Sequence, residues 1–371
     1  MTTIVQNELI KSVDDLHYYL RQAMAVEHAT LPPYITALYS MKPGTNIEAF
    51  HILRAVAVEE MLHLTLAANV YNAVGGDMKS VLSDPNFIPK YPTVLPTGET
   101  DFEVGLNKFS RETVKTFLKI ERANEAERGQ PLVTPRNHSN SLLKVHNQPP
   151  HFSFYSIGQF YAEIIRGLHA LHVEMKDELF CGDPAKQISP EYYYNGGGAI
   201  IPVTDLKSAV RALREIQEQG EGSGKERIYD GDREISHYYR FQQLLINEDD
   251  EENCGQYYVI NKEDPEKSDK PGQPTGDKFK VDWDAVYPIK ENIELSDFTP
   301  GSEVYEAAQK FQSDYAKFMK QLESAFSGHP QVLIPAVGAM CGLKYQAERL
   351  VKNPLNGSDG IHAAPVYRVI K

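Results

Sequence analysis

The stretch Val56-Ala-Val-Glu-Glu60-Met-Leu-His63-Leu-Thr-Leu-Ala67 decides the fold. Around it Phe50, Leu53, Val56/Ala57, Leu64, Ala67, Val70/Tyr71 and Val74 recur at helical spacing, which predicts an amphipathic helix over about 47–74. Gly75-Gly76 supplies the stop signal. Glu60 and His63 fall between Val56/Ala57 and Leu64/Ala67, on the apolar stripe. Three apart on a helix, they point the same way, so one carboxylate and one imidazole reach the same place. Buried there without a partner, such a carboxylate is costly.

Working outward, three further segments repeat this anomaly. A helix over about 14–39 carries Leu16, Leu20, Ala23/Met24, Leu31, Tyr34/Ile35 and Leu38 inward, with Glu27 in phase. Pro32-Pro33 removes two backbone donors, frees the carbonyls of His28 and Ala29, and predicts a kink or break. A helix over about 154–180 places Glu163 between Phe160 and Gly167/Ala170, and one over about 232–246 offers Glu234-Ile-Ser-His237 in phase with Phe241 and Leu244/Leu245. The expected architecture is a single all-α domain over 1–371, a four-helix bundle of these segments. It has long loop insertions at about 77–150 and 247–301, and extra C-terminal helices at about 302–326 and 335–351. Another helix is expected at 205–219. Within the first insertion, a lid or pocket wall by its length, a helix is expected over 111–127 with Ser110 as its cap. The second insertion holds the acidic run at 248–252, read as solvated surface.

Four in-phase glutamates and two histidines in apolar stripes become tolerable if divalent cations lie among them, because carboxylates then chelate or bridge and neutral imidazoles ligate. The candidate ligands are Glu27, Glu60, His63, Glu163, Glu234 and His237. Their order, Glu then Glu-x-x-His, repeated, is the one described for ferritin-like di-metal carboxylate bundles. A single Glu-x-x-His is common on surface helices; two on apolar stripes, each preceded by an in-phase glutamate, are not. Glu174 and Glu221 rival Glu163 for the third-helix position, and Glu59 reads as a solvated neighbour or a residue behind the ligands. Iron is the expected metal, two ions per chain, and manganese uses the same ligand types.

Composition restricts the alternatives. The 371 residues carry 38 Lys+Arg against 51 Asp+Glu, a net charge of −13 that repels a phosphate backbone and excludes a nucleic-acid partner. The first eleven residues lack the pattern of a signal peptide, and the longest apolar stretch, 332–343, is too short to span a membrane. Cys181, Cys254 and Cys341 are scattered, as expected of reduced thiols in a cytoplasmic protein.

The runs Glu27-His-Ala-Thr-Leu-Pro-Pro-Tyr-Ile-Thr-Ala-Leu-Tyr39, Glu59-Glu-Met-Leu-His63, Ser156-Ile-Gly-Gln-Phe-Tyr161, Gln219-Gly-Glu-Gly222, His237-Tyr-Tyr-Arg-Phe241 and Val281-Asp-Trp-Asp-Ala-Val-Tyr-Pro288 resemble the ferritin-like domain of the iminophenyl-pyruvate dimer synthase family. Members of that family with extra domains couple imines of aromatic amino acids on violacein- and rebeccamycin-type pathways; this chain resembles the ferritin-like part alone. The resemblance supports the fold and the metal ligands. The expected activity is a non-haem oxidoreductase using dioxygen or peroxide on a small, aromatic or amino-acid-derived substrate. Ferroxidase or iron handling, and a non-catalytic module stapled by metal, are the rivals. Oligomeric state stays open, a homo-oligomer included.

Overall fold

Ser12 opens the first helix with a reciprocal cap. Its Oγ accepts the Asp15 N–H (3.1 Å), and Asp15 Oδ2 accepts the Ser12 N–H (3.0 Å). The computed structural model describes residues 9–98, 101–122, 133–135, 152–222, 227–247, 254–355 and 360–368. In it α1 runs unbroken over Val13–Ser40, so the break expected at Pro32-Pro33 does not occur. Pro33 denies Ala29 its helical donor, and the Tyr91 hydroxyl replaces it, donating to the Ala29 carbonyl at 2.7 Å. Every residue of α1 from position 22 to 34 is buried. A helix covered on all sides belongs at the centre of a bundle.

Helix α2, Ile47–Ala73, packs along α1 over most of its length, and Gly75 follows its end at φ 78°. α3 spans Arg111–Ile120, with Ser110 Oγ accepting the Thr113 N–H as expected. α4 spans Ile157–Met175, capped by Ser156, and α5 spans Leu206–Glu221, capped by Asp205. Neighbour relations close a ring: α1 on α2, α2 on α5, α5 on α4, α4 on α1. The fourth wall of the bundle is therefore α5, not a helix over 232–246. That segment yields only the six-residue α6, His237–Gln242. Asp230-Gly231-Asp232 makes a turn, with Arg233 at φ 62° and Asp230 Oδ1 accepting the Glu234 N–H at 2.8 Å, so Glu234 precedes the helix.

Outside the ring, α3 and α6 pack on each other and on the bundle. α7 (Glu303–Phe326) and α8 (Leu333–Val351) pair and lie against α2 and α1 respectively. Two antiparallel two-stranded sheets complete the described residues: β1 (Val133–Pro135) with β2 (Phe152–Phe154), and β3 (Cys254–Gln256) with β4 (Lys278–Lys280). α3 ends at Ile120 with Glu121 as its cap, short of the expected 127, and the expected acidic run at 248–252 lies outside the described residues. No helix among the described residues is long and apolar enough to cross a membrane.

The role of Tyr91 is open to test. Tyr91→Phe leaves the buried Ala29 carbonyl without a donor and should lower unfolding free energy by about 1–3 kcal/mol, read by urea denaturation. A change under about 0.3 kcal/mol would mean that Pro33 is tolerated by some other route.

Candidate metal centre

Midway along the α1–α2 pair, Glu27 from α1 and Glu60 and His63 from α2 turn into the ring. Glu121, the residue that ends α3, and His237, the first of α6, enter from outside it. All five are at most 5% exposed. His63 Nδ1 lies 3.3 Å from Glu27 Oε2 and 3.8 Å from Glu60 Oε2. His237 Nδ1 lies 3.0 Å from Glu60 Oε1 and 3.6 Å from Glu121 Oε2. Glu60 thus stands between the two imidazoles, one oxygen toward each, and the rings stack at 5.3 Å and 24°.

The far nitrogens determine what these near ones present. His237 Nε2 sits 2.9 Å from Glu59 Oε2, and the other Glu59 oxygen accepts from Arg240 at 3.0 Å. A carboxylate can only accept, so Nε2 carries a proton, and in the neutral ring Nδ1 keeps its lone pair. His63 Nε2 sits 2.9 Å from Gln219 Oε1, whose orientation is set because Gln219 Nε2 donates to Gly197 O (3.2 Å) and Glu215 Oε1 (3.1 Å). The Gly197 carbonyl gets that close because its loop lies on α2: a Cβ at Gly197 (φ 79°) would stand 2.8 Å from Val58 O. Once neutral, both imidazoles therefore turn Nδ1 lone pairs inward, and His237 Nδ1 is buried with no hydrogen-bond partner. An orphaned lone pair beside carboxylate oxygens fits a cation, and the supporting hydrogen bonds are those that orient metal-binding histidines. Donor atoms of Glu60, His63 and His237 all lie within 4.8 Å of one another, a grouping able to hold a metal ion.

Tyrosines hold the outer carboxylate oxygens. Tyr161 donates to Glu27 Oε1 and Tyr34 to Glu121 Oε1, each at 2.5 Å, while Thr30 donates to Glu60 Oε2 at 3.1 Å.

The chain matches the family model described as Ferritin-like over residues 20–246. It belongs to the Ferritin-like family. A solved structure of a ferritin-like protein from Caulobacter vibrioides is similar, with a TM-score of 0.59 and 20% identity, covering 96% of this chain and 99% of that one. At that identity the likeness speaks for the fold. No curated protein matches.

Against the ligand order expected for such a bundle, the structure brings together Glu27, Glu60, His63 and His237 and places Glu163 and Glu234 elsewhere. The α4 face bearing Glu163 and Gly167 packs on the N-terminal segment, where Gly167 abuts Ile10. Glu163 Oε1 accepts the N–H groups of Leu9 (2.9 Å) and Ile10 (3.1 Å), and Arg166 clasps both its oxygens at 2.7 Å. Phe160 and Gly167 of its stripe are buried, whereas Ala170 is exposed, and Glu163 meets the N-terminal segment instead of the centre of the ring. Glu234 sits in the turn before α6, its side chain 56% exposed and paired with Lys262 at 2.6 Å. Of the rivals, Glu174 is exposed, whereas Glu221 lines the cleft beside Glu27, Glu60, His63 and Glu121 and accepts the Gly158 N–H at 2.8 Å. Glu59 lies behind His237. Glu121 is the residue that sequence reasoning missed. The signal was there: it follows Val114, Phe117 and Ile120 on the buried side of a helix the sequence predicts.

Without cations the cluster holds protons. Burial, reinforced by the charge of Glu60, pushes the Glu27 carboxyl up to about 8 and raises Glu121. Burial would lower His63, but Glu27 and Glu60 outweigh it and hold the ring at about 10; His237 is likewise raised, chiefly by Glu121. Burial alone would raise Glu60, but its two histidine neighbours bring it below the usual carboxylate range. Glu27 and His63, with folded values above their unfolded ones, stabilise the metal-free protein fully below about 4.5 and 6.5. That stability is lost as pH rises through about 8 and 10. The melting temperature of chelator-treated protein should therefore fall between pH 6.5 and 9.5, and metal binding at pH 7 should release at least one proton. A flat melting profile, with calorimetric heats independent of buffer ionisation enthalpy, would contradict this protonation pattern.

Proposed function

We propose that the chain is a non-haem di-metal oxidoreductase that uses dioxygen or peroxide on a small aromatic or amino-acid-derived substrate, with iron as the metal and manganese the alternative. What carries the reading is the pair of inward Nδ1 atoms on either side of Glu60, that of His237 without a hydrogen-bond partner. Glu27 and His63 would hold one ion and Glu121 and His237 the other, with Glu60 shared between them. Two redox-active ions so bound would supply electrons to dioxygen, a chemistry that protein side chains alone lack.

The chain's own residues set the conditions for that chemistry. Tyr161 and Tyr34 fix the orientation of Glu27 and Glu121, so each carboxylate turns its other oxygen toward the centre. Glu59 and Gln219 keep both imidazoles in the metal-binding tautomer. Burial of all five groups excludes bulk water and strengthens every charge interaction among them. The resemblance to iminophenyl-pyruvate dimer synthases supports a substrate derived from an aromatic amino acid.

Purified protein, reduced with ferrous iron under anaerobic conditions, should bind close to two ions per chain and consume dioxygen on exposure to air. His63→Ala and His237→Ala should each remove about half the metal or more, because each deletes the nitrogen donor of one ion. Glu163→Gln and Glu234→Gln should leave the metal content unchanged. Full occupancy in the His63→Ala/His237→Ala double variant would overturn the assignment, and two bound irons with no dioxygen uptake would leave a metal-stapled module.

A further inference from the structure

We propose that the cavity between α1, α2, α7 and α8 is a second ligand site, separate from the metal centre, for a neutral single-ring aromatic carbonyl compound. Wall residues of this cavity include His28, Leu31, Met61, Leu64, Tyr315 and Met340, and it shares no lining residue with the cleft at Glu27, Glu60 and His63. The two lie on different faces of the α1–α2 pair, as the helical offset between Glu27 and His28, and between Glu60 and Met61, requires.

The wall itself selects the ligand. Phe311 and Tyr315 stand parallel at 6.1 Å and 8°, and both meet Tyr367 nearly edge-on, at 5.3 and 5.2 Å. Such an arrangement offers both faces and edges to another ring. Among the described wall residues Lys344 is the one charged group, about half exposed and 3.8 Å from Glu348, and the wall contains no carboxylate. A charged ligand would lose its hydration with nothing inside to compensate it, so the ligand is neutral. The open space is about 80 Å³, roughly half that of a cavity that admits benzene. That limits the ligand to one ring and requires the flexible side chains of Met61 and Met340 to move aside.

A hydrogen-bonding requirement completes the description. His28 is 2% exposed, and its Nε2 lies 2.6 Å from the Tyr315 hydroxyl. With the Tyr315 O–H donating to that ring nitrogen, the His28 proton sits on Nδ1. His28 Nδ1 is buried without a partner, and so are the Tyr194 and Tyr367 hydroxyls of the same wall. These unsatisfied groups call for a ligand that can accept hydrogen bonds, and a carbonyl oxygen with its two lone pairs does so.

The test compares acetophenone with ethylbenzene, its analogue of nearly the same shape without the carbonyl, on the full chain by ligand-observed NMR titration. Acetophenone should bind saturably, about 3- to 10-fold more tightly than ethylbenzene. His28→Phe should bring the two affinities together, Val337→Trp should fill the cavity and abolish both, and His237→Ala should leave acetophenone binding unchanged. If Val337→Trp does not fold, the acetophenone-to-ethylbenzene ratio in wild type and His28→Phe decides the matter alone. No saturable binding, a ratio indifferent to His28, or loss of binding in His237→Ala would overturn the proposal; the last would place the ligand at the metal centre instead.

Discussion

Three carboxylates and two imidazoles occupy the dry middle of this bundle, and the surrounding structure answers to the need to keep them there. An unpaired buried carboxylate costs several kcal/mol, and like charges beside it raise the cost further. Each group is therefore held from behind: Glu27 by Tyr161, Glu60 by Thr30, Glu121 by Tyr34, His63 by Gln219, and His237 by Glu59 with Arg240 beyond it. These contacts satisfy the outer atoms and leave the inner ones facing one another. Protons occupy the interior when nothing else does, and cations are the natural replacement.

This arrangement departs from a bundle in which each of four helices contributes one carboxylate. α4 supplies no carboxylate here. Its first turn brings Gly158, against which the Glu221 carboxylate rests, and then Tyr161. α5 supplies Gln219 and, at its end, Glu221. The vacant places are taken by segments outside the ring, Glu121 at the end of α3 and His237 at the start of α6, which pack against each other. The first insertion is thus structural to the site, since it brings Tyr34 its partner and His237 a carboxylate neighbour.

Much of this was legible in the sequence, and the misplacements have identifiable causes. Glu27, Glu60 and His63 could be read because long helices with regular apolar stripes fix which side faces in. Glu163 obeyed the same periodicity, yet its stripe packs on Leu9 and Ile10; periodicity reveals that a face is covered but not by what. Glu234 failed on turn chemistry, since Asp230-Gly231-Asp232 bends the chain before the helix and removes the three-residue relation to His237. The continuity of α1 through Pro32-Pro33 rests on Tyr91, more than fifty residues away, a dependence that no local reading reveals. Glu121 lies in phase with Val114 and Phe117 but caps a helix outside the four-helix pattern, where that pattern expects no ligand.

The central claim is that a pair of cations belongs among Glu27, Glu60, His63, Glu121 and His237. Crystals of manganese- or iron-loaded protein, measured at the metal absorption edge, test it most directly. The account predicts two anomalous peaks in the core, with Glu60 between them and one histidine Nδ1 on each. Peaks at Glu163 or Glu234, or none between α1 and α2 in metal-saturated crystals, would contradict it.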